Sequence, residues 1–598
     1  MFRYHPNVKE HKSLTGAVDV EDKFHIVVAS DAKKMNFLIA KDGDGYDRYS
    51  MTKDESKGNF FILLKGLKAG LYFYHFETED GLYGAKSDLW AEKQTYQNYR
   101  DYQLTVTEKD YQTPDILKGG VIYQIFPDRF CRAGNACIEQ GKILCNNWGA
   151  IPTYRNGDGK VLNNEFFGGD FKGILSKLYY LKSLGVTVVY LNPISKAYSS
   201  HRYDTGDYLA IDPLLGTEED LKTLLKAADK MGISFIFDGV YNHTGADSKY
   251  FNKYNNYDSV GAYNSKKSRY HDWYEFYDFP NGYDSWWNFE NLPSIKKNSK
   301  SFQKFILEKV LPYYFEMGFK GVRLDVVDEL NDDFVVKIRN VAKRYGAAVI
   351  GEVWEDATNK IAYGVRRKYF LGEELDSVMN YPLKDAICDF ITNKRTGYMV
   401  HVLETQKNNF PKPALNSLMN LLSSHDTVRI INSLGRKTVI TDKDKLKDVT
   451  LSDEELKRGK KAAKVAYALL YTVYGSPSLY YGDEAALTGD LDPYNRRCYP
   501  WGKEDKNFID YFTRLGKIRA ENEVFISGEL NILYHDEKTI VYERADDYNR
   551  IVVAASTAAT ETTLRFSRPL TDLIDGKAEY KTEFTLSPDT VLILKQIN

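Results

Sequence analysis

The chain opens on short alternations of apolar and polar residues. FHIVVAS, NFFILLKGL and LYFYHFET, separated by turns containing Gly and Asp, carry the period of two expected of half-buried strands. Residues 1–115 therefore read as an N-terminal β-sandwich. The pattern then changes. VIYQIF, TVVYLNP, ISFIFDGV, GVRLDVV, AAVIGEV, DSVMNYP, LMNLLSS and SPSLYYG are continuous apolar runs, and helical stretches lie between them. Eight such units predict an α/β chain folded as a (β/α)8 barrel over residues 116–515. The gap between the third and fourth runs is too long for an ordinary loop, so residues 240–300 are expected to form an inserted subdomain, rich in Tyr and Trp, walling one side of the barrel mouth. TIVYERA, RIVVAAS, TTLRFS and TVLILKQ return to short strands and predict a C-terminal β-sandwich over 516–598. The charged stretch TDKDKLKDVTLSDEELKRGKK reads as a solvated loop and a helix start, with an N-cap in LSDEE.

Composition narrows the classes of function. With 598 residues, of which 43% are hydrophobic, the chain can fill several cores. A formal charge of −2 gives no basic footprint, which argues against nucleic-acid binding. No apolar run reaches the ~18 residues of a membrane span, and MFRYHPNVKEHKSLTG lacks the apolar core of a signal peptide. A cytoplasmic location is the resulting expectation. Five Cys residues, with Cys131, Cys137 and Cys145 in one segment, suit a reducing compartment. Three Cys without a nearby His fall short of a zinc site.

Candidate chemistry sits at the ends of the apolar runs. Asp325 ends GVRLD, Glu352 ends VIGE and Asp426 lies in LLSSHDT. On one face of such a barrel, strand ends are where reacting groups gather. Retaining glycoside hydrolysis needs a carboxylate nucleophile and a carboxylic acid roughly 5 Å apart, and Asp325 with Glu352 are the candidates. Arg323 precedes Asp325 by two, the strand spacing that puts both side chains on one side. Its charge is expected to keep Asp325 ionised, while burial and a neighbouring carboxylate raise Glu352. The alternative is a buried Arg–Asp pair that only supports the barrel.

RLDVVDE, GEVWE and SSHDT, together with DGVYNH at 238–243, resemble the four sequence blocks of the α-amylase family, glycoside hydrolase family 13. The likeness extends through VIYQIFPDRF, FFGGDFKGI, HRYDTGDYLAIDPLLGT and GSPSLYYGDEAALTGDLDPYNRRCYPW, and is strongest to the neopullulanase, cyclomaltodextrinase and maltogenic amylase group. The resemblance implies Asp325 as nucleophile, Glu352 as general acid/base and Asp426 as the carboxylate that stabilises the transition state. It also implies that Tyr203, His243, Arg323, His425, Trp354, Asp492 and Arg496 contact the sugar, joined by His201, Asp204, Asp238, Trp286 and Trp287. For Asp238 the alternative is a supporting role, for Asp492 and Arg496 a surface ion pair, and for Trp286 and Trp287 plain core packing. At 283–299, YDSWWNFENLPSIKKNS looks more like amylopullulanase-type enzymes.

The expected substrate is an α-glucan: starch, maltooligosaccharides, pullulan or cyclodextrins, cut at α-1,4 bonds with no required cofactor. The segment CRAGNACIEQ departs from the calcium-binding stretch of relatives and reads as a plain loop, with Gly168 and Asp170 as the remnant at which calcium would sit. The N-terminal domain supports dimers in relatives, which makes a homodimer one of the expectations. Two other readings stay open: a 4-α-glucanotransferase with the same first half-reaction, and a glucan-binding protein without catalysis.

Overall fold

The computed structural model describes residues 1–134, 138–438, 440–577 and 579–596. Cys137 lies outside them. Among the described residues, eight strands form one parallel sheet: β1 (Val121–Ile125), β2 (Val186–Leu191), β3 (Ser234–Gly239), β4 (Gly321–Leu324), β5 (Ala348–Gly351), β6 (Ser377–Val378), β7 (Met419–Leu421) and β8 (Ser476–Tyr480). Hydrogen bonds run in the order β6-β5-β4-β3-β2-β1-β8-β7, and a parallel bridge between Met379 and Met419 closes the ring. This is the (β/α)8 barrel read from the apolar runs.

Alternation along these strands builds two cores at once. Ile122, Val188, Tyr190, Ile236, Ala348, Ile350, Met379, Met419 and Leu421 form the cluster inside the barrel. Val121, Tyr123, Val189, Phe235, Phe237, Val322, Leu324 and Val349, one residue out of phase, pack into the larger outer core. Outer helices include α1 (Glu218–Lys230), α2 (Asp332–Arg344), α3 (Tyr381–Thr392), α4 (Thr396–Asn409) and α5 (Asp453–Thr472). α1 starts on a capping box between Thr217 and Asp220, and α5 on one between Ser452 and Glu455, each satisfying two otherwise orphaned backbone donors.

Two excursions shape the mouth. Between β3 and the helix begun by Ser299, the chain folds over an aromatic cluster of Tyr250, Phe251, Tyr270, Trp273, Tyr274 and Tyr283, and bridges back to the barrel at His243–Ser294. After β1, residues 138–170 descend through two short strands, Ile143–Leu144 and Glu165–Phe166, to Asp170. The Asp170 carboxylate accepts the amides of Gly173, Ala133 and Gly134, and the Gly168 amide donates to Asp128. Backbone N–H groups thus already face the carboxylate oxygens of Asp170.

The N-terminal part pairs its strands in two mainly antiparallel sheets, of four and seven strands, over a separate core that includes Phe24, Ile26, Phe37, Tyr74, Phe76 and Leu104. The C-terminal part, Glu529–Gln596, is a six-stranded antiparallel sheet. One face of it, with Ile540, Tyr542, Ile551 and Val553, packs into the outer core of the barrel.

Candidate active site

Inward phase and strand end together select the residues at the mouth. Above the apolar layer, the inward positions are Gln124 on β1, Asp238 on β3, Arg323 on β4, and Asp325 and Glu352 just past β4 and β5. The fully buried Arg323 guanidinium joins three of these carboxylates. Its Nη1 donates to Asp238 Oδ1 at 2.9 Å and to Asp325 Oδ1 at 2.7 Å, and Nη2 lies 2.8 Å from Glu352 Oε2 as an ion pair without hydrogen-bond alignment. Glu352 Oε2 also accepts the Val326 amide at 2.8 Å, and Oε1 accepts the Trp354 indole N–H at 3.2 Å. To present that amide, Val326 takes φ of 40°, a left-handed conformation that strains a β-branched residue.

One guanidinium is shared among three carboxylates here. Burial pushes the Asp325 carboxyl well above the usual carboxylate range; Arg323 opposes the rise, and the charges of Glu352 and Asp238 add to it. The expectation that Arg323 keeps Asp325 ionised meets an opposing effect: the guanidinium is shared with Glu352 and Asp238, and burial raises the Asp325 carboxyl despite it.

Asp426, after β7, keeps about a third of its side chain exposed (34%) and meets His425 Nε2 at 2.9 Å. Burial works against its ionisation, but His425, then Arg496 and Arg323, hold its carboxyl below the ordinary range. With Gln124 donating to His425 Nδ1 at 2.8 Å, the ring proton belongs on Nε2, facing Asp426 and the Tyr203 hydroxyl. Tyr203 stacks on His425 at 5.2 Å and donates to Asp238 at 2.8 Å. His243 is buried, its pKa lowered to about 4 by that burial, and Trp286 stacks over it at 5.0 Å. Burial likewise lowers His201 to about 3, so both rings are neutral near neutral pH.

These groups line one cleft of about 630 Å³. Asp325, Glu352, Asp426, Tyr203, His201, His243, His425, Trp286, Trp287, Trp354, Asp492 and Arg496 all face it. Arg323 and Asp238 do not line it; they lie directly behind, where Asp238 takes the hydroxyls of Tyr190 and Tyr203 as well as Arg323. Asp204 is turned away from the cleft, its carboxylate bonded to the hydroxyl and amide of Ser199, which corrects its expected contact with a ligand. Nor do Asp492 and Arg496 pair with each other: Asp492 meets Lys443 at 2.6 Å, and Arg496 reaches Asp426 at 3.4 Å.

Sequence reasoning missed Val161 and Asn163 from the excursion after β1, Phe289, Asn291 and Leu292 from the second excursion, and Val326. The aromatic run SWWNF was the available signal for Phe289, whereas nothing local marks Val161 or Asn163. Trp287 itself, at φ of 49° and 74% exposed, projects from the cleft wall.

Chemically, the arrangement offers two carboxyls joined by one guanidinium, a third ionised carboxylate, the neutral imidazoles of His201 and His243, and aromatic faces. That set suits a neutral polyhydroxylated ligand and acid–nucleophile chemistry.

The family model described as the catalytic domain of α-amylase matches residues 124–535. An amylopullulanase of Thermoanaerobacter thermohydrosulfuricus is 37% identical over 538 residues, covering 81% of this chain and 35% of that protein. A cyclomaltodextrinase of Thermoanaerobacter pseudethanolicus is 30% identical over 540 residues, covering 86% of this chain and 82% of the other. The chain spans only 27–39% of the length of the amylopullulanases it matches. Among solved structures, a cyclic α-maltosyl-(1→6)-maltose hydrolase of Arthrobacter globiformis superposes with a TM-score of 0.67 at 26% identity, covering 81% of this chain and 100% of that one.

Proposed function

The chain belongs to the α-amylase family, and from that premise we propose that it is a retaining hydrolase of α-1,4-glucosidic bonds in starch, maltooligosaccharides, pullulan or cyclodextrins. The observation that carries the proposal is the single Arg323 guanidinium contacting both Asp325 and Glu352 at the mouth of the barrel. Such a bridge favours the short separation of a retaining pair, roughly 5 Å, over the wider inverting one. The relatives named for cyclodextrin and pullulan substrates support the same substrate class.

In the proposed reaction Glu352 enters as the acid, carrying the proton, and Asp325 as the nucleophile, carrying the charge. Asp325 attacks the anomeric carbon while Glu352 delivers that proton to the departing glycosidic oxygen, leaving a glycosyl-enzyme and a free aglycone. Glu352, now a carboxylate, takes a proton from water, whose oxygen attacks the same carbon and releases Asp325. Asp426, His425 and the neutral His243 hold sugar hydroxyls around the distorted ring. Every proposed step uses side chains of this chain.

Asp325→Asn should remove measurable turnover of maltotriose. Glu352→Gln should lower it by roughly 10²- to 10⁴-fold, the range of a general acid, and much less on an aryl maltoside, whose phenolate leaves without protonation. Equal losses on both substrates would contradict the acid assignment for Glu352. Transfer to a sugar acceptor shares the first half-reaction, and the Trp354 indole bonded to the acid, in a cleft also lined by Trp287 and Phe289, favours holding such an acceptor. Chromatography of products at high maltotriose separates the two outcomes, since longer oligomers arise only by transfer.

A further inference from the structure

Gln124 and Asn192 are buried behind the cleft, do not line it, and take no part in the reaction as written above. Parallel pairing brings them together. Gln124 lies opposite Tyr190 in the β1–β2 ladder, and the Asn192 amide, just past β2, extends that ladder to the Ile125 carbonyl at 3.0 Å. Their side chains close a ring with Tyr203 and His425. Gln124 Nε2 donates to Asn192 Oδ1 at 3.0 Å and to His425 Nδ1 at 2.8 Å, Asn192 Nδ2 donates to the Tyr203 hydroxyl oxygen at 2.9 Å, and that oxygen lies 2.6 Å from His425 Nε2.

The direction of every bond in the ring is set from one end. Asp238 takes Arg323 on Oδ1 and the hydroxyls of Tyr190 and Tyr203 on Oδ2, so the one proton of the Tyr203 hydroxyl is committed to it. The Tyr203 oxygen can then only accept. That turns Asn192 Nδ2 toward it and leaves Asn192 Oδ1 facing Gln124. Oδ1 needs a donor, so Gln124 presents Nε2, and the second hydrogen of Nε2 remains for His425 Nδ1. Nδ1 accepts, and the ring hydrogen stands on Nε2, between the Tyr203 oxygen and Asp426 Oδ2 at 2.9 Å.

Resting on the reading of the main site as an α-glucan hydrolase, we infer that Asn192 and Gln124 are positioning residues of the reaction. They carry the polarity of the Arg323–Asp238 pair to His425 and so fix the N–H that holds Asp426. Neither needs to touch substrate. The consequence falls on Asp426, which is partly exposed and is held by His425 on Oδ2 and, at the longer distance of 3.4 Å, by Arg496 on Oδ1. With the hydrogen on Nδ1 instead, a bare Nε2 would face the Asp426 carboxylate, and Asp426 would leave the orientation in which it meets the sugar. An interaction made in the transition state is lost from kcat rather than from KM.

The test reads the hydrogen directly. Ring-nitrogen chemical shifts of His425, assigned by their loss in His425→Gln, are recorded without substrate for the unaltered full chain and for Gln124→Glu, in which an acceptor of the same size replaces the donor. The expected result is a hydrogen on Nε2 alone in the unaltered protein and a hydrogen on Nδ1 in Gln124→Glu. Asn192→Leu frees the Gln124 amide to turn, and should lower kcat on maltotriose about tenfold with KM within twofold. A hydrogen on Nδ1 in the unaltered protein overturns the inference whether or not the variants fold. So does an unchanged ring in Gln124→Glu, or a kcat within twofold of the unaltered value in an Asn192→Leu protein that melts normally. No turnover of maltotriose by the unaltered protein overturns the hydrolase reading, and the positioning role in that reaction with it, while the nitrogen shifts still decide the hydrogen-bond ring.

Discussion

Asp325 sits between opposing influences: burial and two neighbouring carboxylates raise its pKa, and one guanidinium lowers it. Because the net direction is upward, the native state releases this proton at a higher pH than the unfolded chain, which loses it near the ordinary carboxylate value of about 4. The contribution of this group to stability is thus complete below that value and is lost as pH rises. Asp325→Asn removes the titration. It should melt at a higher temperature than the unaltered protein at pH 7, with the gap closing toward pH 4; thermal unfolding followed by circular dichroism at both pH values measures it. A gap that does not change with pH would show that Asp325 carries no proton held by burial. Asp426 has the opposite sign, since its charged neighbours hold it low, so its stabilising contribution is present above the ordinary value and disappears in acid.

At the scale of elements, the strands supply precision and the excursions supply surface. Arg323, Asp325 and Glu352 are held on or beside strands whose outward neighbours Val322, Leu324 and Val349 are fully buried, so the reacting groups inherit the rigidity of the outer core. Trp287 belongs to an excursion and has little to pack against. Trp287→Ala should leave the melting temperature unchanged within a degree or so. It should cost about 1 kcal/mol of glucan binding, roughly fivefold in KM, the scale of one aromatic stacking contact. Unchanged KM on oligosaccharides of every length would remove Trp287 from the ligand-binding wall. Phe289 is subject to the same argument.

Across the whole molecule, buried guanidinium groups tie the parts together. Arg544, on the C-terminal strand Thr539–Ala545, is fully buried and donates to the carbonyls of Thr472, Val473, Val524 and Gly528. It thereby joins the C-terminal sheet to the end of α5 and to the approach to β8. Arg544→Ala leaves those carbonyls without donors, at about 1–3 kcal/mol for each one kept dry. The expected result is a marked drop in melting temperature, partly recovered by Lys, which offers fewer donors; a melting curve like that of the unaltered protein would show that water replaces the guanidinium at no cost. The N-terminal part is joined through a buried hydrogen bond from Gln103 to Thr358 and through Arg366 to Asp42 and Asn7 to Glu404, the last two partly exposed contacts that water can replace more easily.

Much of this was local and therefore legible. Apolar runs of strand length separated by helical stretches specify a barrel because each strand must bury two faces, and period-two alternation already put Arg323 and Asp325 on one side. The motif blocks carried the site residues on those strands for the same reason: a strand end fixes where its side chain points. Other features depend on partners distant in the chain. The inward turn of Asp204 toward Ser199, the pairing of Asp492 with Lys443, and the arrival of Val161 and Asn163 at the cleft are decided by how excursions pack, which no spacing encodes. The raised pKa of Asp325 is of the same kind. Residue types fixed which charges exist, but only the folded arrangement decided that one buried guanidinium would be shared by three carboxylates, and electrostatic energies depend on those distances and on burial.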